Sequence, residues 1–198
     1  MTRTAQLSRR TGETDVSLTL GLSASGAGTR ATGVGFFDHM LDLLARHGRL
    51  DLEVTVTGDL QTGSHHTVED TGIVLGQALD QALGDRRGIV RYGHAVVPMD
   101  EARAACAIDI SGRPYALVSG FERLPAGHIN GFEYEVAEEF FRAVAGAARL
   151  TLHIDLQAGT NAHHMIEACF KAFARALRVA VSIDPDETGV PSTKGTLT

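Results

Sequence analysis

Val16, Leu18, Leu20 and Leu22 alternate with Ser17, Thr19, Gly21 and Ser23. That period of two predicts a half-buried strand, with a Gly/Ser/Ala turn and a second short strand near 29–35 after it. Phe37, Met40, Leu41 and Leu44 then fall at i, i+3, i+4 and i+7, the spacing of one helical face, and Gly48 is the expected stop. Leu50, Leu52, Val54 and Val56 return to alternation, and a loop over 58–64 leads to a helix carrying Leu75, Ala78, Leu79 and Ala82 on one stripe before Gly84. Strands are expected over 93–99 and 104–110, a turn at Ser111-Gly112-Arg113-Pro114, a return strand over 115–119 and an irregular loop around 125–131. From Glu133 the pattern is helical through Phe140, Phe141 and Val144. Leu150, Leu152, Ile154 and Leu156 make a strand, and Ile166, Phe170, Phe173, Ala174 and Leu177 share the face of a last helix.

The order is written twice. Leu50-Asp-Leu-Glu-Val54 answers Leu150-Thr-Leu-His-Ile154 one hundred positions on, and Gln77-Ala-Leu79 answers Arg175-Ala-Leu177. An internal duplication of a hairpin, helix, strand, loop and helix predicts an α+β fold, in which two mixed β-sheets enclose a helical layer. The first repeat is expected over 1–92, the second over 93–183 and a C-terminal tail over 184–198, all within one compact domain.

Each repeat's second helix opens on the same five-residue sentence, HHxxE: His65-His66-Thr67-Val68-Glu69 and His163-His164-Met165-Ile166-Glu167. Positions three and four apart share a helical flank, so each glutamate is expected near both of its histidines. One such motif alone is weak, because a helical histidine is more often solvated or hydrogen-bonded than a ligand. Two copies, with His39 and Glu139 in matching register on the preceding helices, make eight candidate ligands. They divide into two sites of four. Imidazole and carboxylate without thiolate suit manganese or iron in sites with open positions, and pseudo-symmetry suggests that each site mixes ligands from both repeats. His39 lies opposite its own helix's apolar stripe, so some ligands are expected to reach a neighbouring subunit.

Composition adds bounds. The chain is 43% hydrophobic and 21% charged, and its net charge of −6 argues against a nucleic-acid partner and suits a holder of cations. No apolar run is long enough to span a bilayer. Cys106 and Cys169 sit in apolar segments and read as core residues, compatible with a reducing cytosol. The Arg-rich first twelve residues lack an apolar segment, so no secretory signal is expected and the location is expected to be cytoplasmic.

Phe37-Asp-His-Met-Leu41, His65-His-Thr-Val-Glu-Asp70, Pro98-Met-Asp-Glu101, Ser111-Gly-Arg-Pro114, Asn161-Ala-His-His164, Phe170-Lys-Ala172 and Pro191-Ser-Thr-Lys-Gly195 together resemble the imidazoleglycerol-phosphate dehydratase family, from about Arg10 to the C-terminus. The resemblance implies a hydro-lyase of histidine biosynthesis that converts imidazole glycerol phosphate to imidazole acetol phosphate and water, through an imidazolate held between two manganese ions. It implies two manganese ions per subunit on His39, His65, His66, Glu69, Glu139, His163, His164 and Glu167, and a cubic shell of twenty-four subunits, with no nucleic-acid or membrane partner. Arg91, Arg113, Ser192 and Lys194 are implied to grip the substrate phosphate, and Glu13 and Lys171 to line the pocket. Glu13, Glu69, Glu167 and Lys171 are the candidates for proton transfer. His39 and His47 are counted with the substrate-facing residues, although His47 also stands where it could cap its helix.

Each assignment has a plainer counterpart. Arg91 and Arg113 could be surface charges, Lys171 an i, i+4 partner of Glu167, and the tail a frayed end. Two other functions use the same ligands: a dinuclear metallohydrolase, and a non-enzymatic metal-binding shell that leaves Arg113 and Lys194 without purpose.

Overall fold

The computed structural model describes residues 3–22 and 25–197. The first repeat runs β1 (Thr4–Arg10), β2 (Thr14–Gly21), β3 (Arg30–Ala31), α1 (Gly35–Gly48), β4 (Asp51–Gly58) and α2 (His65–Leu83). The second runs β5 (Tyr92–Met99), β6 (Ala102–Asp109), β7 (Tyr115–Ser119), a two-stranded ribbon of β8 (His128–Ile129) and β9 (Phe132–Glu133), α3 (Val136–Ala148), β10 (Thr151–Ala158) and α4 (Ala162–Ala180). Ser23, expected as the last polar position of the first strand, lies outside the described residues.

The two four-stranded sheets have the same topology. Their orders are β1-β2-β4-β3 and β5-β6-β10-β7, and in each the fourth strand runs parallel to its neighbour while the other pairs are antiparallel. Register puts Val16 opposite Val56, Leu18 opposite Val54 and Leu20 opposite Leu52 on one inner face. Leu152 opposite Ile108 and Ile154 opposite Cys106 do the same on the other. The helices fill the space between, and their partners cross the repeats. α2 lies on β1 and β2 and packs against α3, whereas α4 lies on β5 and β6 and packs against α1. Phe37, Phe132, Phe140, Phe141, Phe170 and Phe173 are fully buried. Phe140 meets Phe37 edge-on at 5.5 Å and stacks on Phe170 at 5.1 Å, so aromatic contacts from both repeats knit the layer together. Cys106 and Cys169 are buried free thiols in this core, and burial pushes both pKa values up. Among the described residues no helix is long and apolar enough to cross a membrane.

Several local expectations are corrected. The strand over 115–119 does not return against β6. β10 takes that place, and β7 pairs parallel to β10 at the sheet edge. A hairpin turn was the nearest local solution, but Leu152 and Ile154 fill the central position with larger apolar side chains than Ala116 and Val118. The loop near 125–131 contains the first strand of the β8–β9 ribbon, and Glu133 belongs to that ribbon rather than to α3. Gly48 is the last residue of α1, but the left-handed position beyond it is taken by Arg49, φ 52°, and its counterpart Arg149 repeats this with φ 54°. Leu50 and Leu150 then donate to the carbonyls of Ala45 and Ala145, so both helices close in the same way.

The α2–α3 contact is backbone on backbone. A Cβ added to Gly72 would lie 2.9 Å from Ala143 Cβ, and one added to Gly76 would lie 2.7 Å from both Ala147 Cβ and the Val144 carbonyl. Gly76→Val is therefore expected to destabilise the fold by about 1–3 kcal/mol through overpacking. Gly146, on the exposed side of α3, has open space around it, and Gly146→Ala is expected to stabilise by about 0.5–1 kcal/mol. Thermal unfolding of the two variants checks both signs, and an unchanged midpoint for Gly76→Val would mean that the helices separate without cost.

Candidate metal centre and anion groove

α1 and α4 cross so that His39, from the first repeat, faces His163 and Glu167 from the second. Glu167 Oε2 lies 3.3 Å from His39 Nε2 and 3.1 Å from His163 Nε2, and the three ligand atoms all fall within 4.8 Å of one another. Phe36 packs edge-on against the His163 ring at 5.0 Å and fixes its plane. Lys171, one turn further along α4, forms an ion pair with the other oxygen of Glu167 and contacts Met99 Sδ at 3.4 Å. Its helical-pair reading therefore holds. Glu167 is only 5% exposed. Burial alone would raise its pKa, but Lys171, His163 and His39 hold the carboxyl below its ordinary value. Two imidazole nitrogens and an ionised carboxylate form a donor set that fits a divalent cation, with room for further ligands. Among the described residues this is the one such group of three.

The first repeat's copy is less gathered. His65 Nε2 lies 3.5 Å from Glu69 Oε2, across one helical turn. Glu139 is half-buried on α3 and does not join them within the same radius. In each motif the glutamate pairs directly with the first histidine, at i−4. The second histidines turn to other carboxylates. His66 Nδ1 is 3.0 Å from Asp59 Oδ2, with Glu13 3.6 Å from its Nε2. His164 Nδ1 is 2.7 Å from Glu101 Oε2, with Asp100 3.8 Å from its Nε2. The hydrogen bond to Asp59 raises the His66 pKa, and that to Glu101 raises the His164 pKa. A carboxylate at Nδ1 selects the tautomer and leaves Nε2 for a ligand. The sequence gives no reason to single out Asp59, and Glu101 stands in the Pro98-Met-Asp-Glu101 motif without an assigned role. A signal existed for Glu101, in the tight Asp100-Glu101 turn, but Asp59 sits in a loop that no periodicity orders.

The helix starts hold the motifs in place. The Asn161 side chain accepts from the His163 and His164 amides, while Glu101 Oε1 accepts from the Thr160 and Asn161 amides at 3.0 and 2.8 Å. At α2 the Ser64 hydroxyl makes no cap, and Glu133 from the ribbon accepts from the Ser64 amide and hydroxyl instead. Asp70, following the first motif, accepts from the Thr14 hydroxyl and pins α2 to β2. His47 is half-buried near the end of α1. Burial first, and then the charges of Lys171 and Arg175, push its pKa down.

A groove of about 800 Å³ lies elsewhere on the chain. Arg91, Arg113, Ser192 and Lys194 all line it, together with Tyr92 and Pro191, and none of the clustered histidines does. Arg91 is not a loose surface charge: its guanidinium pairs with Asp109 at 2.7 and 3.1 Å and donates to the Pro191 carbonyl at 2.8 Å. It retains N–H donors beyond these three contacts.

Comparison with known proteins gives the chain's family. The family model for imidazoleglycerol-phosphate dehydratase matches residues 32–177. The imidazoleglycerol-phosphate dehydratase of Jannaschia sp. (strain CCS1) is 55% identical over 196 residues, spanning 98% of this chain and 100% of the relative. That of Moorella thermoacetica is 54% identical, spanning 100% of both. The crystal structure of the Staphylococcus aureus enzyme superposes with a TM-score of 0.80 at 41% identity, over 91% of this chain and 99% of that one. The Pyrococcus furiosus enzyme, solved in complex with (S)-C348, gives 0.81 at 37% identity, over 96% and 100%. With its fold and its sequence in agreement, the chain belongs to the imidazoleglycerol-phosphate dehydratase family, the hydro-lyases of histidine biosynthesis.

Proposed function

We propose that the chain carries out its family's dehydration of imidazole glycerol phosphate to imidazole acetol phosphate at a manganese centre. The observation that carries the reading is the meeting of His39, His163 and Glu167 across the two repeats. A second ion would use His65, Glu69 and Glu139. His66 and His164 offer Nε2 away from their own glutamates, and they would complete the sites from neighbouring copies. That arrangement explains why the anion groove contains none of the clustered histidines, and it supports a large homo-oligomer, expected at twenty-four subunits. A divalent ion bound here would supply a Lewis acid to a ring nitrogen of the substrate and ease loss of a proton from the adjacent carbon.

The protein's own groups do the rest. The reaction removes a proton from one carbon and a hydroxyl from the next as water, and the resulting enol becomes the ketone. Glu167 is held ionised by Lys171 and two histidines, so it serves to fix the ligand set. Glu13 is exposed in the β1–β2 turn, 3.6 Å from His66 Nε2, and is the freer carboxylate for moving a proton. Glu69 and Lys171 remain proton-transfer candidates beside it. Arg113, Ser192, Lys194 and the spare donors of Arg91 would hold the phosphate, away from the reacting carbons, and so orient the glycerol chain.

Metal-stripped protein is expected to form no ketone from imidazole glycerol phosphate until manganese is restored. His163→Ala is expected to abolish turnover, and full activity without metal would sink the centre. Glu101→Gln keeps an acceptor for the Thr160 and Asn161 amides but presents an amide to His164. It is expected to weaken manganese binding about 10–100-fold by calorimetry, and wild-type affinity would remove Glu101 from the support of the site. Lys194→Ala is expected to raise KM more than tenfold if its charge-assisted contact contributes about 2 kcal/mol. An unchanged KM would take the tail out of the pocket.

A further inference from the structure

Arg86 has no role in the site described so far, yet it is 2% exposed and holds a left-handed conformation with φ 60°. Arginine is ordinarily a surface residue, and a buried guanidinium needs a partner. Asp80 supplies one, shared with Arg149 at 3.0 Å. The remaining terminal nitrogen of Arg86 donates to the Leu197 carbonyl, and Leu197 is itself buried.

This contact ends a seam between the inter-repeat linker and the tail. Val90 donates to Ser182 at 2.9 Å, Asp184 to Gly88 at 2.9 Å and Gly88 to Gly189 at 2.8 Å. Arg87 reaches the Thr188 carbonyl at 3.0 Å, and Arg91 the Pro191 carbonyl at 2.8 Å. Beyond Pro191 the chain leaves the seam as a tight turn, with Gly195 donating to the Ser192 carbonyl at 3.0 Å and Lys194 to the Ser192 hydroxyl at 3.2 Å. Ser192, Thr193 and Lys194 form one wall of the anion groove. The turn is thus held at Pro191 by Arg91 and at Leu197 by Arg86. Without the second anchor the turn would be held less firmly, and the groove would lose an ordered wall.

We infer that Arg86 is a positioning residue for the phosphate groove: by clamping the Leu197 carbonyl it fastens the tail so that Ser192 and Lys194 face the bound anion. This rests on the proposed function, since it assigns the groove to the substrate phosphate. A pre-ordered wall lowers the ordering cost of binding without touching the reacting carbons, so the clamp acts on KM and not on kcat.

The test uses the manganese-loaded full chain, Arg86→Met, and a second variant truncated after Thr196, which removes the accepting carbonyl and leaves the linker intact should Arg86→Met fail to fold. Hydrogen exchange of residues 189–197 is measured with and without inorganic phosphate, and steady-state kinetics are measured in parallel. In the wild type the tail is expected to exchange slowly and to slow further with phosphate. In the variants it is expected to exchange rapidly and to lose the phosphate response, with KM raised at least fivefold and kcat within twofold. Retained tail protection in a folded variant overturns the clamp. Lost protection with an unchanged KM, or a fall in kcat alone, reduces it to a structural contact and overturns the positioning role. A wild type that makes no ketone strikes the proposed function instead, while the exchange response to phosphate still decides the clamp.

Discussion

A single buried carboxylate sets the terms for this fold. Glu167 sits on a helix with apolar neighbours almost all round, where an ionised group is costly unless each oxygen is met. One oxygen is met by Lys171 from the same helix, and the other by His163 and by His39 from the opposite repeat. Lys171 and His163 hold the carboxylate ionised from α4 itself, and His39 adds its contact because α1 lies against α4. The aromatic contacts that bring the repeats into register thus also bring His39 to Glu167. The group is preorganised: one carboxylate and two imidazole donors face one another within 4.8 Å, the kind of arrangement that favours binding a cation.

The arrangement of the layer explains why two identical motifs end in different surroundings. α2 reaches its partner through glycines, so the α2–α3 crossing is close. The corresponding positions on α4 are Phe170 and Ala174, and Phe170 packs on Phe140 and Phe141 of α3, so the aromatic cluster lies at this place in the second repeat. The two motif helices therefore meet different neighbours. His39 reaches Glu167, while Glu139 stands back from Glu69. On the proposed reading, the second set closes only when a cation and a neighbouring copy draw it together.

Much of this was legible in the sequence, because the signals were local or repeated. Alternation gave β2, β4 and β10, helical spacing gave α1, α2 and α4, and the duplicated HHxxE pointed to the candidate ligands, three of which meet. The equivalence of His39 and Glu139 followed from register alone. Sequence reasoning failed where the deciding contact was distant. β7 reads as the return arm of a hairpin from the Ser111–Pro114 turn, and only competition from β10, more than thirty residues later, moves it to the edge. Asp59 and Glu101 look like ordinary turn acids until the histidine rings reach them. Arg86 follows a helix end in an Asp-Arg-Arg run that reads as solvated charge, and nothing nearby in sequence announces a carbonyl at residue 197.

The beginnings of the two motif helices show how a repeat can diverge without losing its geometry. Ninety-eight positions separate the copies here, so Gly63 stands where the second repeat has Asn161. Asn161 caps α4 with its own side chain, and Gly63 has none to offer. The space is taken by the other repeat: the Glu133 carboxylate lies so close that a Cβ on Gly63 would be 3.1 Å from its Oε1, and it accepts from the Ser64 amide at 3.2 Å, just ahead of the motif. The loop that leads into the first motif is thus tied to the second repeat. The reverse dependence runs through His39, which reaches from the first repeat to the second motif. Each motif keeps its own local partners and also takes one contact from the other repeat, so the two repeats are tied at their motifs by two carboxylates, Glu133 and Glu167.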